Sequence, residues 1–382
     1  MRWGVNSAAT IRRSCATSLI GLGLMVPAVV GQGISAATNG PQTDAPRVEN
    51  ARVENHALAR ALAAELQAFA QQSAQPQWIG YAVPQVAAGN REVCCNSNGS
   101  WNDGCGTCRL EGSAHGVNTR SGNASVKLEG SREIAVLFRA ENHKIMKVRI
   151  VSPECTLDGG GLPFVWLTNV KPDESVAVLA GFVRNHNFEE RDDNRMGHEA
   201  LTAIALHADE SAERAMESFV RPTEREDLRK QAAFWLGESR GKAGFAVLQQ
   251  MAKSDPSSEV RAQVTFALSV SREPGAIDEM IRMAHDDQNG HVRGQALFWL
   301  AQKAGKKAEG AITGAIENDP DTDVKKKAVF ALSQMPKDEG VPKLIQVAQT
   351  NRNPAVRKQA MFWLRQSNDP RALEFFEKVL SQ

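Results

Sequence analysis

From residue 228 onward, apolar positions recur at helical spacing and then repeat in one register. Leu228–Leu236, Val260–Leu268, Val292–Leu300, Val324–Leu332 and Val356–Leu364 follow one another at steps of 32 residues. Each carries a small residue in mid-segment, then Phe, then Trp or Ala, then Leu. A second amphipathic stretch runs between them, with inward positions Leu248, Met280, Ile312, Leu344 and Phe376, followed one turn later by Met251, Met283, Ala315, Val347 and Val379. Each unit is therefore a pair of helices. Such a pair buries its apolar face only by stacking on its neighbours, so the pattern predicts an α-solenoid over residues 197–382. A degenerate copy, His198–Leu206, stands 30 residues before the first and is expected to cap the stack.

Upstream, the period changes. Leu58, Leu62, Leu66 and Phe69 predict a helix at the end of a polar lead, residues 37–75, in which Arg47-Val48-Glu49-Asn50 recurs as Arg52-Val53-Glu54-Asn55. Trp78–Val83, Val126–Leu128, Glu133–Phe138 and Ile145–Val151 are short runs rich in β-branched and aromatic residues and read as strands, the last two as a hairpin. Leu157-Asp158-Gly159-Gly160-Gly161 reads as a turn, because no phosphate-loop Lys-Ser/Thr accompanies the glycines. Pro172–Ser175 starts a helix through Val176, Leu179, Phe182 and Val183, with acidic residues in its first turn. A small α+β module over residues 76–186 results, joined to the solenoid by a charged linker, 187–196.

Residues 1–36 change the address. Arg2, Arg12 and Arg13 precede an apolar run from Leu19 to Val30 and the small residues Ser35, Ala36 and Ala37, with no acidic residue among them. That is the layout of a secretory signal peptide, and it predicts export to a periplasmic or extracellular space. The run is too short for a transmembrane helix and no other stretch is long enough, so no span is expected in the mature chain. The whole chain has 45 Lys+Arg and 44 Asp+Glu; without the leader's three Arg the balance is 42 to 44. Near-neutral charge leaves no basic field for nucleic acid.

Five cysteines remain in the exported part: Cys94, Cys95, Cys105, Cys108 and Cys155. Four lie in a segment rich in Gly, Asn and Ser that cannot form much of a core, and in an exported chain disulfides are the favoured staple. Their pairing is open. The other use is zinc, with Cys105-x-x-Cys108 supplying two thiolates at ligand spacing and Cys94, Cys95 or His115 completing the set. A thiol- or metal-dependent module docked on the solenoid is accordingly the alternative function.

The repeat itself resembles HEAT repeats, specifically the short bacterial PBS-lyase HEAT-like kind, whose second helix opens with Asp, then Val-Arg, small residues and Ala-Leu. Here those are Asp255 and Val260-Arg261, Asp287 and Val292-Arg293, and Asp319 and Val324-Lys325. Leader, cysteine-containing module and solenoid together resemble exported bacterial HEAT-repeat proteins, which implies a fold and no particular reaction. Two enzyme families share the repeat. The di-iron deoxyhypusine hydroxylases use repeated His-Glu pairs, whereas His198-Glu199 is the only such pair here, and an exported address does not suit a chromophore-loading phycobilin lyase. No nucleophile elbow, HExxH or P-loop is present, and no cofactor is expected.

Reading across the units gives three ladders. Arg229, Arg261, Arg293, Lys325 and Arg357 line up, with Asp255, Asp287 and Asp319 six residues before the middle three, predicting a structural ion-pair ladder. Trp235, Ala267, Trp299, Ala331 and Trp363 alternate large and small, as interdigitating layers require. Phe234, Phe266, Phe298, Phe330 and Phe362, flanked by Gln231, Gln263, Gln295 and Gln359, fall away from the centre of the buried arc. They read either as wedges sealing the stack or as an exposed stripe that grips a protein or peptide partner. The expectation is a non-enzymatic scaffold binding through the concave face of its second helices.

Overall fold

The computed structural model describes residues 45–86, 108–111, 132–189, 195–303 and 305–381. The leader expected at residues 1–36, the strand expected at Val126–Leu128, Cys94, Cys95, Cys105, His115 and most of the charged stretch 189–193 lie outside the described residues.

A five-stranded sheet organises the first part. Its order is β2 (Val53–Ala57), β8 (Phe164–Thr168), β3 (Gln77–Pro84), β5 (Glu133–Glu141) and β6 (Lys144–Val151). β8 runs parallel to both β2 and β3, while β3, β5 and β6 are antiparallel. The hairpin joining β5 to β6 turns at Asn142-His143, both at positive φ, as a tight turn between right-twisted strands demands. Ile134 to Phe138 are all fully buried because both faces of β5 are covered. One side, with Ile134, Val136 and Phe138, packs on helices. The other, with Ala135, Leu137, Trp78 and Trp166, packs on a small parallel sheet, β1 (Val48–Glu49), β7 (Leu157–Asp158) and β4 (Cys108–Arg109).

Two strands depart from expectation. The polar lead contains β1 and β2, one per copy of the Arg-Val-Glu-Asn repeat, separated by Asn50 at φ 52°. Each copy pairs with a different part of 157–168, so the duplication supplies an edge to two sheets. Their largely solvent-facing side chains hide them from a hydrophobic pattern. β8 follows Pro163 directly and is buried along nearly its whole length, so it shows no alternation. The expected helix starts later than Leu58: α1 runs Leu62–Gln72, and Leu58 packs from the preceding turn.

α2 (Pro172–Arg184) and α3 (Met196–Leu206) lie between sheet and solenoid. α3 is the degenerate copy, and it is not a polar cap. Ala200, Leu201 and Ala203 to Leu206 are all buried, because α2 on one side and β5 and β6 on the other cover it. Strand β3 even continues its hydrogen bonding into the solenoid, through Val86 N to Leu206 O and Ala208 N to Pro84 O. One apolar cluster consequently runs unbroken from Leu62 to Phe375.

Beyond α3 the stack is α4 (Glu210–Phe219), α5 (Glu226–Ser239), α6 (Gly241–Ser254), α7 (Ser258–Val270), α8 (Ala276–Asp286), α9 (Gly290–Lys303), α10 (Lys306–Asn318), α11 (Thr322–Ser333), α12 (Lys337–Thr350), α13 (Pro354–Gln366) and α14 (Pro370–Leu380). The fold class read from the sequence, a helical-repeat solenoid behind an α+β region, is the observed one. Side chains of Asp209, Ser257, Asp321, Asn353 and Asp369 cap helix starts by accepting backbone amides. Three inward positions shift by one residue: Ile316 rather than Ala315 is buried in α10, Ala348 rather than Val347 in α12, and Phe375 rather than Phe376 in α14, where the expected Val379 is exposed.

The odd-numbered helices α5, α7, α9, α11 and α13 contact one another far more extensively than their even-numbered counterparts do. In a curved stack the crowded layer is the inner one, so these helices form the concave side. α5 and α7 come close at Gly237, where an added Cβ would stand 2.1 Å from the carbonyl oxygen of Ala267. A backbone atom cannot swing aside. Gly237→Ala is expected to lower stability by about 2 kcal/mol, overpacking outweighing the better helix propensity of Ala. A urea midpoint equal to that of the parent chain would show instead that α5 and α7 can part at no cost.

Candidate inner-face aromatic stripe

The inner helices carry their Phe residues at one angular position, and the stack brings these rings into a single line. Phe234 and Phe266 stack at 5.7 Å between ring centres with planes 14° apart, and Phe298 and Phe330 do the same at 5.9 Å and 9°. Trp residues join these pairs. Phe266 meets Trp299 at 4.7 Å, Trp299 meets Phe298 at 4.9 Å, Phe330 meets Trp363 at 4.8 Å, and Trp363 meets Phe362 at 5.0 Å. With Trp235 edge-on to Phe234 at 5.1 Å, eight rings run without a gap along five helices. The Trp/Ala alternation explains the period: at Ala267 and Ala331, both fully buried, neighbouring helices close up and their Phe rings stack directly.

Every ring but the last is half-buried, and Phe362 is 47% exposed. Gln231, Gln263, Gln295 and Gln359 stand half-buried beside the stripe, and among the described residues their amides have no protein hydrogen-bond partner. At the corresponding position of α11 the row carries Lys327, which lies over Gly294 and reaches His291 at 3.4 Å. Apolar rings with unused amide donors and acceptors alongside can hold an apolar side chain and the main chain that carries it.

The charged ladder runs at the opposite angular position, and its pairing differs from the expected one. Arg229 holds Asp255 bidentately at 3.0 and 3.1 Å, Arg261 holds Asp287 at 2.8 and 3.0 Å, and Arg293 holds Asp319 at 2.8 and 2.9 Å. Each Arg thus reaches the carboxylate of the next unit. The Asp six residues before it contributes its carbonyl oxygen instead, at 2.8 Å from Arg261 and from Arg293. Hydrogen bonding to these carboxylates raises the pKa of Arg261 and Arg293 against the cost of burial. Burial raises the Asp319 carboxyl, and the Arg293 fork and the Asp321 amide outweigh it, leaving the group below its ordinary value. The ladder changes character at Asn351, which replaces the next Asp; Lys325 turns to the carbonyl of Glu317.

The remaining sequence candidates fall elsewhere. Cys108 and Cys155 are both disulfide-bonded and buried at 1% and 0% between the two sheets. A disulfide sulfur is not a thiolate ligand, so the four-cysteine zinc set loses Cys108. Among the described residues no group of three or more His, Cys, Asp or Glu side chains is placed to hold a metal. His198 and Glu199 sit at the start of α3, where His198 meets the rings of His186 and Phe188 edge-on at 5.1 and 4.8 Å. Burial, with His186 and Arg195 nearby, pushes His198 down to about 4, and burial raises Glu199. Residues the pattern missed form a buried chain between module and solenoid: Tyr81 Oη to Ser175 Oγ at 2.7 Å, and Ser175 Oγ to His207 Nε2 at 2.9 Å. No helix of the described residues is long and apolar enough to cross a membrane.

Comparison with known families agrees with the helical repeat. The family described as HEAT repeats matches residues 214–301 and 310–382. No curated protein sequence matches the chain. Among solved structures, the CpcE and CpcF complex of phycocyanin lyase from Nostoc sp. is 19% identical over 41% of this chain and 99% of that one, with a TM-score of 0.32. Human deoxyhypusine hydroxylase is 16% identical, covering 54% and 90%, at 0.24. Kap95p, in its complex with RanGDP, is 15% identical, covering 51% and 30%, at 0.33. Two stretches of the chain, 214–301 and 310–382, are thus HEAT repeats, and the helical stack they build is a HEAT-repeat solenoid.

Proposed function

We propose that the chain is an exported, non-enzymatic scaffold that holds a protein or peptide partner along the concave face of its solenoid. The observation that carries this reading is the unbroken line of eight aromatic rings, half-open to solvent, with unbonded Gln amides beside it. Rings needed only to seal the stack would be buried like Ala267 and Leu268. Leaving large apolar side chains half-exposed in a contiguous row costs solubility, and such rows usually mark binding surfaces. Aromatic anchors with adaptable amides also suit an extended segment, whose main chain needs hydrogen bonds and whose side chains need pockets. The export component rests on the leader-like composition of residues 1–36 and on the clustered cysteines.

Charge on the stripe tests the reading. Phe266→Glu with Phe298→Glu is expected to weaken partner capture from an envelope extract by more than tenfold, with the far-ultraviolet circular dichroism of the full chain unchanged. Undiminished capture at unchanged helicity would return the stripe to packing alone.

A further inference from the structure

The described residues expose six large hydrophobic side chains, and four of them, Phe362, Leu373, Val379 and Leu380, belong to the last two helices. Leu373 is 62% exposed and Leu380 86%, seven residues apart and so on one side of α14, with half-buried Phe376 between them. At the matching positions of the preceding outer helix α12, Val341 and Ala348 are both buried, each 3% exposed. Charge divides across the same face. α13 has no acidic residue and exposes Lys358 and Arg365, while on α14 the exposed Glu377, four residues after Leu373 and three before Leu380, lies on the leucine side and the exposed Lys378 does not. A surface with apolar centre, basic on one helix and acidic on the other, complements itself under two-fold rotation, which lays α13 of one copy against α14 of the other.

We propose that this face is the docking surface for a second copy of the chain, forming a two-fold dimer at the α13–α14 ends. Two helices of 11 and 13 residues offer a small footprint, so the dimer is expected to dissociate in the micromolar range. Phe362, the last ring of the stripe, sits at the edge of this face. Pairing there brings the two aromatic stripes end to end, doubling the surface that a long or repeating partner can engage.

Sedimentation equilibrium of the full chain, from about 1 to 200 µM, tests the proposal. The average mass is expected to rise from one chain towards two across that range. Leu373→Glu with Leu380→Glu, both already exposed and so tolerated by the fold, should keep the chain monomeric throughout. Glu377→Lys should weaken the dimer about tenfold, and adding Arg365→Glu to it should restore association by exchanging the charges across the interface. A constant monomer mass at 200 µM overturns the proposal, whether another segment of the chain or a different protein then covers the face. A dimer indifferent to both leucine substitutions overturns it equally, by placing the contact elsewhere.

Discussion

Asp255→Ala is expected to cost about 4 kcal/mol, the largest loss from any single charged position in the stack. Arg229 is 6% exposed at its side chain and Asp255 2%, so removal of the carboxylate leaves a guanidinium fork buried against nothing that can neutralise it. The same Asp oxygen accepts the Ser257 amide, so the variant also loses a turn contact at the mouth of α7. Asp255→Asn separates these effects by keeping an acceptor oxygen and removing only the charge; it should cost roughly 1 kcal/mol less. The loss should grade with burial. The Arg293–Asp319 pair, 9% and 5% exposed, comes next and Arg261–Asp287, at 16% and 5%, last. Desolvation also predicts that an apolar pair, Arg229→Met with Asp255→Leu, recovers most of the stability. The molecule contains one step without an ion pair, since Lys325 and Asn351 occupy the corresponding positions and Lys325 donates to the Glu317 carbonyl instead. Urea denaturation of the single and double variants gives the coupling energy. A cost below 1 kcal/mol for Asp255→Ala would mean the pair behaves as a surface one.

That ladder also shows what a repeat hides from its own reader. With a period of 32, the Asp six residues before Arg261 is the same Asp that lies 26 residues after Arg229. Spacing cannot say which Arg takes the carboxylate. Only the stacking direction decides, and it sends the side chain backwards along the stack and the carbonyl forwards. The helices themselves were legible because five copies in one register average away the ambiguity of any single segment. The same argument placed the Phe residues on one line, while the bridging role of Trp299 and Trp363 stayed hidden, because periodicity treats each column separately. Strands β1, β2 and β8 had no such help. β2 shows the solvent four exposed residues in five, and β8 shows it almost none, so neither alternates in the manner that identifies a half-buried strand. The seam between sheet and solenoid was invisible for a related reason. Tyr81, Ser175 and His207 come from three distant segments, and nothing local marks any of them as one end of a buried hydrogen bond.

This seam gives the second large effect, a loss of stability on mild acidification. His207 is fully buried at the end of α3, and its Nδ1 lies 2.6 Å from the carbonyl oxygen of Ala203. A carbonyl can only accept, so Nδ1 carries the proton and Nε2 is left to accept from Ser175, which in turn accepts from Tyr81. A second proton on the ring would take away the acceptor at Nε2, leaving one hydroxyl proton of the Tyr81–Ser175 pair without an acceptor in a fully buried place. Burial pushes His207 down to about 4; its hydrogen bond to Ala203 and the charge of Asp209 oppose the shift, and Arg240 adds to it. Unfolded, the ring titrates at its ordinary 6.5. The unfolded chain therefore binds more protons between pH 6.5 and 4, and stability must fall as pH falls through that window. Integrated over the window, the His207 contribution is about 3 kcal/mol, complete above pH 6.5 and exhausted near pH 4. Carboxylates held below their ordinary values, such as Asp319 and Glu65, lose their contribution only at still lower pH, so the two effects separate. His198, also depressed but only half buried, adds a smaller loss in the same window. His207→Gln keeps a hydrogen-bonding side chain without the titration; it should be less stable at pH 7 and show a much flatter slope from pH 6.5 to 4.5. Urea unfolding at half-unit steps measures both slopes, and parallel curves for parent and variant would remove His207 from the account.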